Sequence, residues 1–325
     1  MSSFLPGLAH APLSRRAALA GAITLASGVG RAKAATPALR LGDQKGGVEA
    51  LLRASGELDA LPYRLEIDQF PAAAPLLEAL NAGAVDIAWA GDAPTTFALA
   101  HGTPAHIVSA HRSNGAGTAL LVKAESKVLD VADLVGKRVG TSRGSIGQAL
   151  TISALRAHNL PADAVSFAWL LPAEANAALE QGDIDVWASW GVFVAQAVLV
   201  NHDRIVVDGS HGLLSGLGYL TALDEAIAGK REQVRDLVAR AARASRWAVA
   251  NADAYSRYWA KLLGVSFDVA RLSFTTAPAL AVPIDASVVA DQQRTADLYS
   301  GAKLIDHHVD VRDFFDASFN AAVAT

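Results

Sequence analysis

The residues best equipped for chemistry occur twice in the same arrangement. Arg40-Leu41-Gly42-Asp43-Gln44-Lys45-Gly46-Gly47-Val48 aligns with Arg138-Val139-Gly140-Thr141-Ser142-Arg143-Gly144-Ser145-Ile146. Each reads as a short strand, a polar triplet ending in a cation, a glycine and the start of a helix. Glycine at a helix start leaves backbone N–H groups uncovered, and those groups with the helix dipole favour an anion. Lys45 and Arg143 supply charge at equivalent places, and Gln44, Ser142, Gly144 and Ser145 supply donors. The predicted chemistry is the grip of a small anion, a sulfonate or sulfate, between two facing helix ends without a metal.

Further candidates stand at the ends of neighbouring strands. Gly91-Asp92-Ala93-Pro94-Thr95-Thr96 closes an apolar strand, with Asp92 expected as an N-cap and the N–H groups of Thr95 and Thr96 free for an anion. Trp187-Ala188-Ser189-Trp190-Gly191 closes the equivalent strand ninety-odd residues on. There Trp187 is expected in the core and Trp190, past the strand end, against an apolar part of the ligand. Arg112 is a second candidate anion partner, because a guanidinium bridges two oxygens. Tyr219, on a strand near the cleft, completes the candidate set. His106 and His111 read as surface residues, and His307-His308 lacks a third ligand at metal spacing.

The elements that must position these groups follow from a wider repeat. Ala79-Leu80-Asn81-Ala82-Gly83-Ala84-Val85-Asp86-Ile87 matches Ala178-Leu179-Glu180-Gln181-Gly182-Asp183-Ile184-Asp185-Val186, a helix ending at glycine and then a buried strand. The two echoes are offset by 98 and 99 residues, so one β-α-β-α-β unit appears twice. Alternating strands and helices predict an α/β protein with parallel sheets, and two units predict two lobes. The apolar strands 118–122 and 218–222 read as the crossings of a two-strand hinge. Lobe one then comprises residues 36–123 and 220–325, and lobe two residues 124–219. The C-terminal helices are expected on lobe one, one of them through Val234, Leu237, Val238, Ala241, Ser245 and Val249.

Composition narrows the function classes. Of the 325 residues 52% are hydrophobic and 18% charged, enough apolar surface for one large core or two ordinary ones. Residues 1–34 read as an export signal: Arg15-Arg16 precedes an apolar run over 17–30, and Ala32-Lys33-Ala34 is a cleavage site. The paired arginines allow the twin-arginine route as well as the general secretory one. Removal of this segment takes four basic residues and no acid, moving the formal charge from −4 to −8. An acidic chain without a basic cluster is a poor nucleic-acid binder. Cysteine is absent, which excludes disulfides, thiolate metal sites and cysteine nucleophiles.

Taken in order, these segments resemble the aliphatic sulfonate-binding proteins, within the sulfonate, taurine and nitrate periplasmic receptors. The likeness rests on Gly42-Asp43-Gln44-Lys45-Gly46, on Leu77-Glu78-Ala79-Leu80-Asn81-Ala82-Gly83, on Gly91-Asp92-Ala93-Pro94, on residues 131–137 and 181–188, and on Gln292-Gln293-Arg294-Thr295-Ala296-Asp297-Leu298. The resemblance implies a type II periplasmic-binding-protein fold and delivery of a small anionic ligand to an ABC permease with its ATPase; the chain is expected to act as a monomer without a cofactor. It implies a sulfonate head in contact with Gln44, Gly91, Asp92, Ser145 and Trp190. Three stretches depart from the family's pattern: residues 143–149, Trp190-Gly191-Val192 and Ser273-Phe274-Thr275. All lie near the expected cleft, so taurine, nitrate or a pyrimidine precursor stay open as ligands, and an enzyme on the same fold is the alternative class.

Overall fold

The computed structural model describes residues 37–324, so the export signal read over residues 1–34 lies outside the described residues. The first β-α-β-α-β unit runs β1 Leu39–Gln44, α1 Val48–Ala54, β2 Leu65–Phe70, α2 Ala73–Asn81 and β3 Ile87–Gly91, continuing into α3 Asp92–Ala100 and β4 Ala105–Arg112. The chain then crosses to β5 Thr118–Val122 and the second unit: β6 Arg138–Thr141, α4 Ile146–Ala157, β7 Ser166–Trp169, α5 Pro172–Gln181 and β8 Val186–Trp190. After α6 Val192–Gln196 and β9 Arg204–Asp208 it returns to β10 Leu217–Leu223. The remainder is helical apart from one short strand: α7 Asp224–Gly229, α8 Arg231–Ala250, α9 Ala252–Leu263, α10 Phe267–Thr276, β11 Leu280–Val282, α11 Ala286–Gly301 and α12 Asn320–Val323.

The repeat is a repeat of structure. One sheet orders β11-β4-β10-β3-β1-β2 and the other β7-β6-β8-β5-β9. In each, the unit's first strand lies parallel between its second and third, β1 between β2 and β3, and β6 between β7 and β8. An antiparallel strand then flanks the third, β10 beside β3 and β5 beside β8. Even the arginine–aspartate echo has a geometric basis. The N–H of Arg40 donates to Asp86 Oδ2 at 2.7 Å, and that of Arg138 to Asp185 Oδ2 at 2.8 Å. Gly42 and Gly140 recur because a Cβ at either would fall on the side chain that covers the strand, Leu76 or Ile184. The fold is the two-lobed type II periplasmic-binding architecture, with a mixed sheet at the centre of each lobe.

The lobe boundaries need correction. Strand 118–122, assigned to lobe one from the sequence, belongs to the second sheet, and β10 belongs to the first from Leu217 onward. The crossings are the irregular stretches 113–117 and 209–216 that precede these strands. They run side by side: Ser113 N–H donates to Gly216 O at 2.8 Å. Gly216 has φ +68° and a Cβ there would strike the Ser113 carbonyl, so the close approach needs glycine twice over.

The C-terminal helices also serve both lobes. Val234, Leu237, Val238 and Ala241 of α8 pack on the first sheet against Leu39, Leu41, Val108 and Leu220, as the apolar stripe predicts, but Val249 is exposed. Further on, Ala296, Tyr299, Ile305 and Val311 cluster with Ala93 of lobe one and with Ala149 and Ile152 of lobe two. Tyr299 Oη donates to Ser145 O at 3.2 Å across that boundary. Among the described residues no helix is long and apolar enough to cross a membrane.

Candidate functional site

A cavity of about 790 Å³ opens where the carboxyl ends of the parallel strands of both sheets meet. Lobe one supplies the turn after β1 (Gln44, Lys45), the turn after β2 (Phe70) and the end of β3 (Trp89, Gly91). Lobe two supplies the corresponding places: Ser142 to Ile146 after β6, Leu171 to Glu174 after β7, and Trp190 with Phe193 after β8. This is where an open α/β sheet binds ligands, because the helix N-termini and the loops converge there. Trp259, Leu263 and Val265 close one side.

The two repeated turns face the same space but are not equivalent electrically. In lobe one the buried Asp43 carboxylate takes the helix end itself, accepting the N–H groups of Gln44 at 2.8 Å and Glu49 at 2.7 Å. Burial pushes this carboxyl up to about 7, against the backbone hydrogen bonds of Glu49, Gln44 and Val48. The expectation of two open positive helix ends is therefore corrected: α1 carries its own acid. In lobe two the matching residue is Thr141, a neutral hydroxyl 3.1 Å from Ser145 Oγ. Ser145 caps α4, its Oγ accepting the Gln148 N–H at 3.2 Å, while the N–H groups of Ile146 and Gly147 find no acceptor among the described residues. A twelve-residue helix thus aims an uncompensated end at the cavity.

Side chains around that end divide into engaged and available. Arg143 is exposed, makes no ion pair among the described residues and lies with its guanidinium 4.6 Å from the centre of the Trp169 ring. Trp169 in turn stacks on Phe167 at 5.0 Å. Lys45 is likewise exposed and unpaired, and the Gln44 amide makes no hydrogen bond among the described residues. The Gly144 N–H is already committed to Gln148 Oε1 at 2.7 Å, and Ser142 Oγ donates to Leu170 O at 2.8 Å. Glu174 is the one carboxylate in the wall among the described residues, and its Oε2 accepts the Leu171 N–H at 2.9 Å. The anionic end of a ligand is best served beside Arg143, Ser145 and the first turn of α4, with Gln44 and Lys45 opposite.

Four predicted site residues are elsewhere. Asp92 is buried, its Oδ2 accepting Ser215 Oγ at 2.5 Å and Thr295 Oγ1 at 3.0 Å, and burial holds its carboxyl above the ordinary range. It is the first residue of α3 and Gly91 the N-cap, so Thr95 is fully buried within the helix with no free N–H for an anion. Arg112 is paired with Asp291, which also binds Arg294. Tyr219 is fully buried and donates to Gln292 Oε1 at 2.8 Å. His111, expected at the surface, is buried, and His106 pairs with Asp224 at 2.6 Å.

Sequence reading missed most of the apolar wall. Trp89, Phe70, Phe193 and Trp259 line the cavity beside Trp190. Trp89 sits two residues before the end of β3, a place that the rule of carboxyl ends does point to. Trp259 gives no such signal: it comes from α9, 213 residues after Gly46, whose carbonyl its indole N–H reaches at 2.8 Å. That bond fixes the Gln44-Lys45 turn.

The model of proteins described as NMT1/THI5 like matches residues 64–254, more than half of the chain. The chain belongs to the NMT1/THI5-like family, among its aliphatic sulfonate-binding proteins. One family relative, from Escherichia coli (strain K12) and provisionally named an aliphatic sulfonates-binding protein, is 31% identical over 299 residues, 91% of this chain and 93% of that one. The crystal structure of the periplasmic aliphatic sulphonate binding protein SsuA from Escherichia coli matches at 29% identity and TM-score 0.76, over 86% of this chain and 92% of that one. The alkanesulfonate-binding protein SsuA of Xanthomonas axonopodis pv. citri, solved bound to MOPS, matches at 29% identity and TM-score 0.78, over 87% and 99%. The fold extends to catalysis elsewhere: the desulfurization enzyme DSZB shares it at 19% identity and TM-score 0.64, over 88% of this chain and 99% of that one.

Proposed function

We propose that this protein is the solute-binding component of an ABC importer and captures a small organic sulfonate in the space between its lobes. The observation that carries the reading is the pairing of an unneutralised helix end and an unpaired arginine with an aromatic wall in one cavity. A sulfonate has three oxygens that spread one charge. Arg143 meets them through two N–H groups, the first turn of α4 through backbone N–H groups, and Ser145 through its hydroxyl once it turns from Thr141. The organic part lies against Trp89, Trp190 and Phe193, where burial of its apolar surface adds about 25 cal/mol per Å². Gln44 and Lys45 approach the same head from lobe one, so ligand bridges the lobes and favours their closed arrangement. Export to the periplasm, by either route read from residues 1–34, and hand-over to a permease and its ATPase complete the proposal.

Among the described residues the cavity wall has neither cysteine nor histidine and offers no nucleophile held by a base, so capture fits it better than catalysis. The test is isothermal titration of the purified protein with alkanesulfonates, taurine, sulfate, nitrate and a pyrimidine. Saturable binding of sulfonates above the rest is expected. Binding of the pyrimidine alone would remove the sulfonate assignment.

A further inference from the structure

Where a carboxylate holds an arginine, the arginine's N–H donors are occupied. Arg243 grips Glu57 through Nε at 2.9 Å and Nη2 at 2.7 Å, and Arg112 is paired with Asp291. Arg143 is held differently. It is exposed, has no side-chain hydrogen bond or ion pair among the described residues, and rests its guanidinium over Trp169, 4.6 Å from the ring centre. A guanidinium carries its five N–H groups in its own plane and points them outward. An aromatic face against that plane therefore steadies the cation without taking a donor or cancelling its charge.

The support under the cation is itself anchored. Trp169 ends β7 in register with Thr141 at the end of β6, the edge from which the turn carrying Arg143 departs. Residues two apart on a strand share a face, and Phe167 stacks on Trp169 with ring centres 5.0 Å apart and planes at 11°. Phe167 in turn packs against the apolar core of lobe two. Trp169 is 40% exposed, so burial does not account for an indole at this place. We propose that Trp169 is a positioning residue for the sulfonate: its indole holds the Arg143 guanidinium at the cavity wall before binding and keeps it there as the N–H groups close on the ligand's oxygens. A free surface arginine samples many rotamers, and restricting them in advance lowers what binding must still restrict. The proposal rests on the reading of Arg143 as partner of the sulfonate head, and it adds a residue that does not itself line the cavity.

The experiment is a double-mutant cycle read by calorimetric titration with a series of n-alkanesulfonates. Trp169→Leu should weaken binding about two- to fivefold in the otherwise unaltered protein, and Trp169→Tyr should keep most of the affinity. In an Arg143→Ala background Trp169→Leu should change little, because the residue acts through the arginine. The NMR signals of the Arg143 side-chain protons give a measure that needs no variant. They should be displaced upfield by the indole ring current in the free protein and stay displaced at saturating sulfonate. Equal losses with and without Arg143, no loss in Trp169→Leu, or a displacement that disappears on binding overturns the positioning role while leaving the sulfonate reading intact. Tighter binding in Trp169→Leu overturns it too, since the indole would then compete with the ligand for the cation. Failure of every sulfonate to bind overturns both.

Discussion

Asp43 and Thr141 occupy the same place in the two repeats, yet only Asp43 closes its helix end with a carboxyl group. Its Oδ2 holds the Glu49 N–H at 2.7 Å, whereas Thr141 ends in a hydroxyl 3.1 Å from Ser145 Oγ. One substitution between duplicated turns makes two otherwise matching helix ends unlike: one closed by a carboxyl group, the other open. Lobe one carries its own buried acid and lends Gln44 and Lys45; lobe two holds the open helix end.

This buried acid predicts a pH dependence. With its carboxyl at about 7 against an ordinary 3.8, the folded chain keeps a proton through the window between them that the unfolded chain has released. Stability therefore falls as pH rises from about 4 to about 7. Glu49 faces the group and adds to the effect, as do the raised carboxyls of Asp92 and of Asp203, the latter at about 6. Urea unfolding should show the protein roughly 2 kcal/mol more stable at pH 5 than at pH 7.5 on account of Asp43. Asp43→Asn should lose that part of the slope. An unchanged slope in the variant would mean that Asp43 titrates normally.

Ligand affinity should depend unequally on the two cations. Arg143→Ala is expected to weaken sulfonate binding by about ten- to a hundredfold, and Lys45→Ala by less, because only Arg143 adjoins the open helix end. Ser145→Glu should abolish binding by placing a carboxylate where the sulfonate goes. Ser145→Ala should instead lower stability by about 1 kcal/mol through the lost cap on Gln148 N–H. Calorimetry on the four variants reads all of this, and full affinity in Ser145→Glu would move the head elsewhere.

The hinge connectors make a separate prediction about glycine. Gly83 and Gly216 have the same backbone sign, φ +70° and +68°, but a Cβ at Gly83 meets open space and one at Gly216 meets the Ser113 carbonyl. Gly83→Ala should cost about 1 kcal/mol from strain alone. Gly216→Ala should cost at least twice as much by urea unfolding, since backbone cannot yield as a side chain does. Equal losses would place the two connectors further apart than they are here.

Asp86 and Asp185 are repeat partners with different exposure. Asp86 is buried between Arg40 Nη2 at 2.6 Å and Lys230 Nζ at 2.5 Å; burial alone would raise its carboxyl, but the two cations hold it below the ordinary range. Asp86→Ala leaves both cations uncompensated and should cost roughly 3–5 kcal/mol. Asp185 is exposed, and Asp185→Ala should cost about 1 kcal/mol or less. Thermal or urea unfolding of the pair decides, and similar losses would show that burial is not what separates them.

How far residues alone lead can be seen at particular positions. The strand-turn-helix echo, the glycines that end α2 and α5, and the placement of Arg143 and Ser145 at a strand end all follow from patterns confined to one unit. Alternation, helix punctuation and glycine spacing act over a few residues, so they are legible in order along the chain. The lobe boundary at 118–122 is not legible in this way, because an apolar strand reads the same in either sheet.

What tertiary structure alone decided is which polar groups remain free. Arg112 looked as able to grip an anion as Arg143, but Asp291, 179 residues away, has claimed it, and Thr295 and Ser215 have likewise claimed Asp92. His111 reads as a surface residue and lies buried, edge-on to Trp89. The sequence by itself determined the duplicated units and the polar turns at their strand ends, because local backbone preferences encode them. Only the folded chain decided the electrical asymmetry of the two turns and the aromatic wall of the cavity, because a side chain's availability depends on partners that long loops bring together from distant segments.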